Sequence, residues 1–199
     1  FKSINFYYKL VVAALPAAIL GALLNDYIDE MLESPLTVAV TLVLGGILLL
    51  FVDKWFQKDT VNDERDITIK QAFVIGCYQC LALIPGMSRS ASTIVGGMTQ
   101  SLTRKVAAEF SFFLAIPMML GASGLKLIKY FKAGNSFTSD ELNIMIIGNV
   151  VGFIVAIIAI KTFINILTKY GFKVFGIYRI IVGLIIITIL GLGYNLSVI

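Results

Sequence analysis

The sequence predicts an all-α polytopic membrane protein with about five transmembrane helices and one broken, re-entrant helical hairpin. Three observations carry that reading. Of 199 residues, 58% are hydrophobic and only 14% are charged, and the mean hydropathy of +0.92 is far above what a soluble domain tolerates. The apolar residues fall into runs at 6–24, 35–52, 67–84, 106–125, 142–160 and 174–194, most of them near the roughly 20 residues a helix needs to cross a hydrocarbon core. None of these runs has the period-two alternation of a barrel strand.

The chain opens at Phe1, and its first run is flanked by Lys2 and Lys9 and followed by Asp26, Asp29, Glu30 and Glu33. It lacks a small-residue cleavage pattern, so it reads as a mature span rather than a signal peptide. The second run carries Gly45-Gly46, and Gly96-Gly97 follows the third; small pairs of this kind favour close helix packing over chemistry. The run at 106–125 leads into an amphipathic tract at 125–132 with Lys126, Lys129 and Lys132, which reads as an interfacial helix end rather than a headgroup site. In the last run Arg179 follows Tyr178 about one turn inside the apolar stretch, and snorkelling to the interface is its expected fate.

Lys and Arg placement gives the topology. If residues 67–104 leave and return to one face, that face holds Lys2, Lys9, Lys54, Lys58, Arg65, Lys70, Arg104, Lys105, Lys161, Lys169 and Lys173, eleven against the three at Lys126, Lys129 and Lys132. A single crossing gives nine against five, so the hairpin is preferred and the richer face is expected to be cytoplasmic. The net charge of +4 is explained by headgroups and topology, which leaves no nucleic-acid role.

The segment Pro85-Gly86-Met87-Ser88-Arg89-Ser90-Ala91-Ser92-Thr93 is the chemical anomaly. A guanidinium costs roughly 2.5–3.5 kcal/mol at the centre of a membrane helix, so Arg89 is a functional candidate by default. Irregular backbone at membrane depth persists only against protein or a water-filled cavity, and broken helices aim their N-termini at anions. Ser88, Ser90, Ser92 and Thr93 supply hydroxyls, Gly86 a turn, and Arg89 a planar fork that suits two phosphate oxygens. A second reading stays open: a Pro-kinked helix whose serines bond back to carbonyls and whose arginine pairs with Glu109.

Other features are weaker. Cys77 and Cys80 form a C-x-x-C on an apolar helix, without a histidine or second pair to complete a metal site, so they read as packing. Pro16 and Pro117 each precede a Leu-Gly-Ala about a hundred residues apart, which fits a shared kink or a repeat relation.

The run Gln79-Cys80-Leu81-Ala82-Leu83-Ile84-PGMSRSAST, followed by Arg104-Lys105-Val106-Ala107-Ala108-Glu109-Phe110-Ser111-Phe112-Phe113-Leu114-Ala115-Ile116-Pro117, resembles the undecaprenyl-diphosphate phosphatase, or bacitracin-resistance, family. The likeness covers the whole chain, including Ala14-Leu15-Pro16-Ala17, the stretch near Trp55 and the closing Tyr178-Arg179 helix. The resemblance implies a bacterial inner-membrane hydrolase that returns the monophosphate lipid carrier for peptidoglycan synthesis, on a fold of inverted repeats with re-entrant helices. It implies that Arg89, Ser88 and Thr93 act on the diphosphate, with Gly86, Ser90 and Ser92 binding it. A polyprenyl diphosphate and membrane lipids are the expected partners, and small-residue faces permit a homodimer. Mg²⁺ or Ca²⁺ is allowed by the resemblance as an ion bridging the diphosphate, although no clustered carboxylate set is present to ligate it.

One departure is consequential. Family members carry an N-terminal motif, roughly E-G-x-x-E-F-L-P-x-S-S-x-G-H, and this chain has no histidine and no carboxylate pair inside an apolar run. Residues 1–199 are therefore expected to be one membrane domain comprising the C-terminal two-thirds or more of the family fold, inactive alone for lack of an acid, base or activated nucleophile. The alternative function is a non-enzymatic polyprenyl-phosphate transporter or flippase, which would need the phosphate clamp alone.

Overall fold

The computed structural model describes residues 4–56 and 61–194. Lys2 and Lys58, used in the charge comparison, lie outside the described residues. Among the described residues eight α-helices follow in order: α1 Ile4–Leu23, α2 Asn25–Leu32, α3 Pro35–Trp55, α4 Ile69–Gln79, α5 Arg89–Thr99, α6 Arg104–Lys132, α7 Ser139–Tyr170 and α8 Lys173–Gly191. Among the described residues there is no β-strand, only an isolated bridge between Val61 and Leu102. Five helices, α1, α3, α6, α7 and α8, are long and apolar enough to cross a membrane, so the chain is a multi-pass membrane protein.

Local sequence sets the helix starts. Ser34 caps α3, its Oγ accepting from the Thr37 N–H at 3.2 Å ahead of Pro35 in the first turn, where a proline loses no hydrogen bond. Thr68 with Gln71, and Thr138 with Glu141, form reciprocal capping boxes on α4 and α7. The acidic stretch that follows the first run folds into α2, where Asn25 donates to the Asp29 carboxylate at 2.9 Å one turn away.

The helices sort into a bundle of α1, α4, α5 and α6 and a tightly packed α3–α8 pair. In the bundle Phe6 meets Phe110 and Phe113 edge-on at centroid separations of 6.1 and 5.3 Å. The Gly76 backbone lies against Ala13, and Gly21 against Leu83, so α1 and α4 run parallel. In the pair Gly46 and Gly176 bring the two backbones together, as the glycine-packing reading of Gly46 expects. The apolar span of α7 buries nothing against the rest of the chain. Apolar side chains on such a helix have lipid tails as their solvent.

The α4–α5 hairpin is closed at its base. The Val61 N–H donates to Ser101 O at 3.0 Å, the Thr103 N–H donates to Val61 O at 3.1 Å, and the Gln71 side chain donates to Gln100 O at 3.0 Å. Entrance and exit thus lie side by side. Lys9 Nζ donates to Arg65 O at 2.9 Å, and Arg104 Nε lies 3.1 Å from Asp53, so basic residues of α1, α6 and the segment before α4 collect at that same end. With 11 residues, α5 rises about 16 Å, about half the roughly 30 Å thickness of a hydrocarbon core.

Candidate phosphate-binding site

The tip is built by a break in the chain. A tight turn of 3-10 helix at Cys80–Leu83 ends α4, and Ile84 becomes extended (φ −74°, ψ 120°), as the residue before a proline must. Gly86 then takes φ +83°, a conformation that costs a residue with a Cβ. The Met87 N–H closes the turn on Ile84 O at 3.0 Å, and Ser88 caps α5, its Oγ accepting from the Ala91 N–H at 3.3 Å. The Ser92 N–H bonds Ser88 O at 2.9 Å. The N–H groups of Arg89 and Ser90, in the first helical turn, keep the free position that makes a helix N-terminus an anion site.

The candidate residues divide between two faces of this N-terminus. Gly86, Ser88 and Ser90 line a cavity of about 280 Å³ together with Phe163, Phe172, Phe175 and Arg179. The Ser88 and Ser90 hydroxyls lie 3.2 Å apart. Ser92 lines an adjoining cavity that Ser88 and Arg179 share, and its hydroxyl bonds back to Ser88 O at 3.0 Å.

Arg89 and Thr93 face α6. Arg89 Nη1 donates to Ser111 O at 3.3 Å, and the buried Thr93 Oγ1 sits 2.6 Å from Ser111 Oγ and 3.0 Å from Arg89 O. If Ser111 donates to Thr93 and Thr93 donates to Arg89 O, each hydroxyl proton has an acceptor. The back-bonding of the second sequence reading is therefore present at Ser92 and at Thr93, but its Arg89–Glu109 ion pair is not. Glu109 lines a separate cavity between α6 and α7 with Phe112, Phe113, Ile116, Ile160 and Ile164. Among the described residues no carboxylate pairs with Arg89.

Arg179 departs from the sequence expectation. It does not snorkel: it is 7% exposed, and its Nη2 donates to Gly86 O at 2.7 Å and lies 3.5 Å from Thr41 O. Snorkelling assumes that the flanking backbone satisfies itself, whereas the broken turn offers a free carbonyl, a better partner than the interface for a side chain on the α3-facing side of α8. Thr41 acts in the same way: its hydroxyl lies 2.5 Å from Pro85 O and 2.9 Å from Thr37 O and Val38 O.

Two more residues escaped the sequence reading. Asp53, at the end of α3, accepts from the Phe172 N–H at 2.7 Å and ties α3 to α6 and α8. The Gln79 side chain, 2% exposed at the end of α4, has no hydrogen-bond partner among the described residues. A polar residue inside an apolar run was the available signal for Thr41 and for Gln79. Among the described residues no three His, Cys, Asp or Glu side chains converge. The donor set does not fit a divalent-cation cage, and Cys77 and Cys80 are free thiols.

Fold and site define a polytopic helical membrane protein in which a helical hairpin gathers, at its tip, a helix N-terminus, hydroxyls and an arginine with no carboxylate partner among the described residues. Residues 1–185 match the family model of the Bacitracin resistance protein BacA. The chain is 57% identical over 190 residues to an undecaprenyl-diphosphatase of Flavobacterium johnsoniae, covering 95% of this chain and 72% of the relative. To one of Porphyromonas gingivalis it is 53% identical over 196 residues, 98% of this chain and 69% of the relative. An undecaprenyl-diphosphatase 1 of Clostridioides difficile is 44% identical over 186 residues, 94% of this chain and 67% of the relative. The chain belongs to the bacitracin-resistance protein family.

Proposed function

We propose that the protein is an undecaprenyl-diphosphatase, hydrolysing undecaprenyl diphosphate to undecaprenyl phosphate and inorganic phosphate in the bacterial inner membrane. The product returns to cell-wall synthesis as lipid carrier, and its regeneration underlies bacitracin resistance. The observation that carries the site assignment is the position of Arg89, first in α5, next to unpaired N–H groups and without a carboxylate of its own among the described residues.

A half-buried cation in that condition is completed by an anion. In phosphoryl transfer, water or another nucleophile attacks the terminal phosphorus, the anhydride P–O bond breaks and the polyprenyl monophosphate leaves. Catalysis rests chiefly on positioning and on stabilising charge spread over the phosphoryl oxygens. Arg89 serves both through its fork, with Ser88 and Ser90 donating hydroxyl hydrogen bonds from the cavity side. Thr93 acts from the α6 side by fixing the first turn of α5, and Gly86 gives the turn its shape. The phenylalanine-lined cavity at Phe163, Phe172 and Phe175 suits the first isoprene units. Proton transfer requires groups beyond the side chains gathered at this turn.

The test is stoichiometry in vesicles carrying the intact natural protein and undecaprenyl diphosphate. One inorganic phosphate per undecaprenyl phosphate formed is the expected result. Movement of the lipid between leaflets with no phosphate released would instead identify a transporter.

A further inference from the structure

Two features recognised in the sequence, the Gly45-Gly46 pair and the arginine in the last span, take no part in the reaction proposed above. The structure joins one to the other. Gly46 packs backbone to backbone with Gly176, but Gly45 does something else: a Cβ there would lie 2.6 Å from Arg179 Nη2, 3.2 Å from Arg179 Cζ and 3.2 Å from Met87 Sδ. The missing side chain is a slot through which the guanidinium of α8 passes α3 and reaches Gly86 O.

We infer that Arg179, admitted by the slot at Gly45, is a positioning residue that latches the Pro85–Gly86 turn to the α3–α8 pair and thereby orients the α5 N-terminus for the diphosphate. The consequence for turnover rests on the diphosphatase reading; the latch itself does not.

Three observations support the latch. Both carbonyls of the turn are held from the same side, Pro85 O by the Thr41 hydroxyl and Gly86 O by Arg179. Among the described residues no peptide bond is cis, and in a trans peptide plane the N–H points opposite to the C=O. The Gly86 N–H is thus turned away from α3. An anion approaching α5 then meets N–H groups and hydroxyls rather than lone pairs. Finally, Arg179 is buried with no carboxylate partner among the described residues, and its Nε–H has no acceptor there. Such a group is costly to keep and in this place adds positive charge behind the turn. Lysine would give a point charge without the planar head that fits the slot.

The experiment compares wild type, Arg179→Gln, Arg179→Lys and Gly45→Ala in the intact natural protein, reading hydrogen exchange of the peptide spanning 84–91, the unfolding midpoint, kcat and KM. Gly45→Ala keeps the arginine and displaces chiefly its head group, the flexible Met87 side chain needing to give by only a few tenths of an ångström. Thr41→Val, which frees Pro85 O, serves if the Arg179 variants do not fold. The expected result is faster exchange confined to 84–91, a midpoint near wild type, and kcat lowered on the order of a hundredfold, the scale of a catalytic group displaced by about 1 Å, with KM little changed.

A raised KM with unchanged exchange at 84–91 would make Arg179 a direct phosphate ligand and overturn the latch. Uniformly faster exchange with a lowered midpoint would reduce it to packing, which also overturns it. Locally faster exchange in the variants, together with no hydrolysis by wild type, would uphold the latch and overturn the diphosphatase reading.

Discussion

Asp53 at the end of α3 and Phe172 at the start of α8 are joined by a 2.7 Å hydrogen bond from the Phe172 N–H to Asp53 Oδ2, across 119 positions of sequence. The other carboxylate oxygen lies 3.1 Å from Arg104 Nε, so one side chain fastens the α3–α8 pair to the bundle that holds the hairpin. Asp53→Ala, which strands the Phe172 N–H and the Arg104 charge, is expected to cost about 2–4 kcal/mol. Asp53→Asn keeps an acceptor and is expected to cost less than half as much. Thermal unfolding in detergent checks the order; equal loss in both variants would mean that the charge, and not the hydrogen bond, matters.

A second expectation contrasts two glycines of positive φ. Gly86 has φ +83° and Gly134 has φ +80°, yet a Cβ at Gly86 would collide with Thr41 Oγ1 and lie 2.6 Å from Val38 O, whereas Gly134 has open space around it. Gly134→Ala is expected to lose only the backbone strain, about 1–2 kcal/mol, and to keep turnover. Gly86→Ala is expected to lose more than that, because its Cβ also meets Thr41 and Val38, and to lose its activity as well. Parallel midpoint and phosphate-release measurements decide; an active Gly86→Ala would show that the turn tolerates a shift away from α3.

How much of this was legible beforehand varies by element. The hairpin was, because the basic residues at 65, 70, 104 and 105 need one face, and the Val61–Ser101 and Val61–Thr103 bonds close it at one end. The break ahead of α5 was legible from Pro85-Gly86, whereas Ser88, read only as a hydroxyl donor, also proves to cap the helix. Arg179 was misread because hydropathy gives depth but not direction: nothing local to α8 says that a carbonyl freed 93 residues earlier faces it. Asp53 escaped notice for the same reason: its partners at Arg104 and Phe172 are remote in sequence. The two faces of α5 were not legible, since Ser90 and Thr93 are three apart, yet one opens to the cavity and the other to Ser111.

The third expectation concerns sidedness. In a background with Cys77 and Cys80 replaced, single cysteines at Asn62 and Arg104 are expected to label from the same side of sealed vesicles, and one at Asp29 from the other. Opposite labelling of the first two would make 67–104 a single crossing and would contradict the re-entrant hairpin.

The central claim is that Arg89 grips the diphosphate through a bidentate fork, and the most direct measurement is kcat/KM for a polyprenyl diphosphate in the intact natural protein carrying Arg89→Lys or Arg89→Ala. Because an ammonium cannot reproduce the fork, both substitutions are expected to lower it by at least about a hundredfold, roughly 2.7 kcal/mol of transition-state stabilisation. Near wild-type turnover by Arg89→Lys would contradict the account.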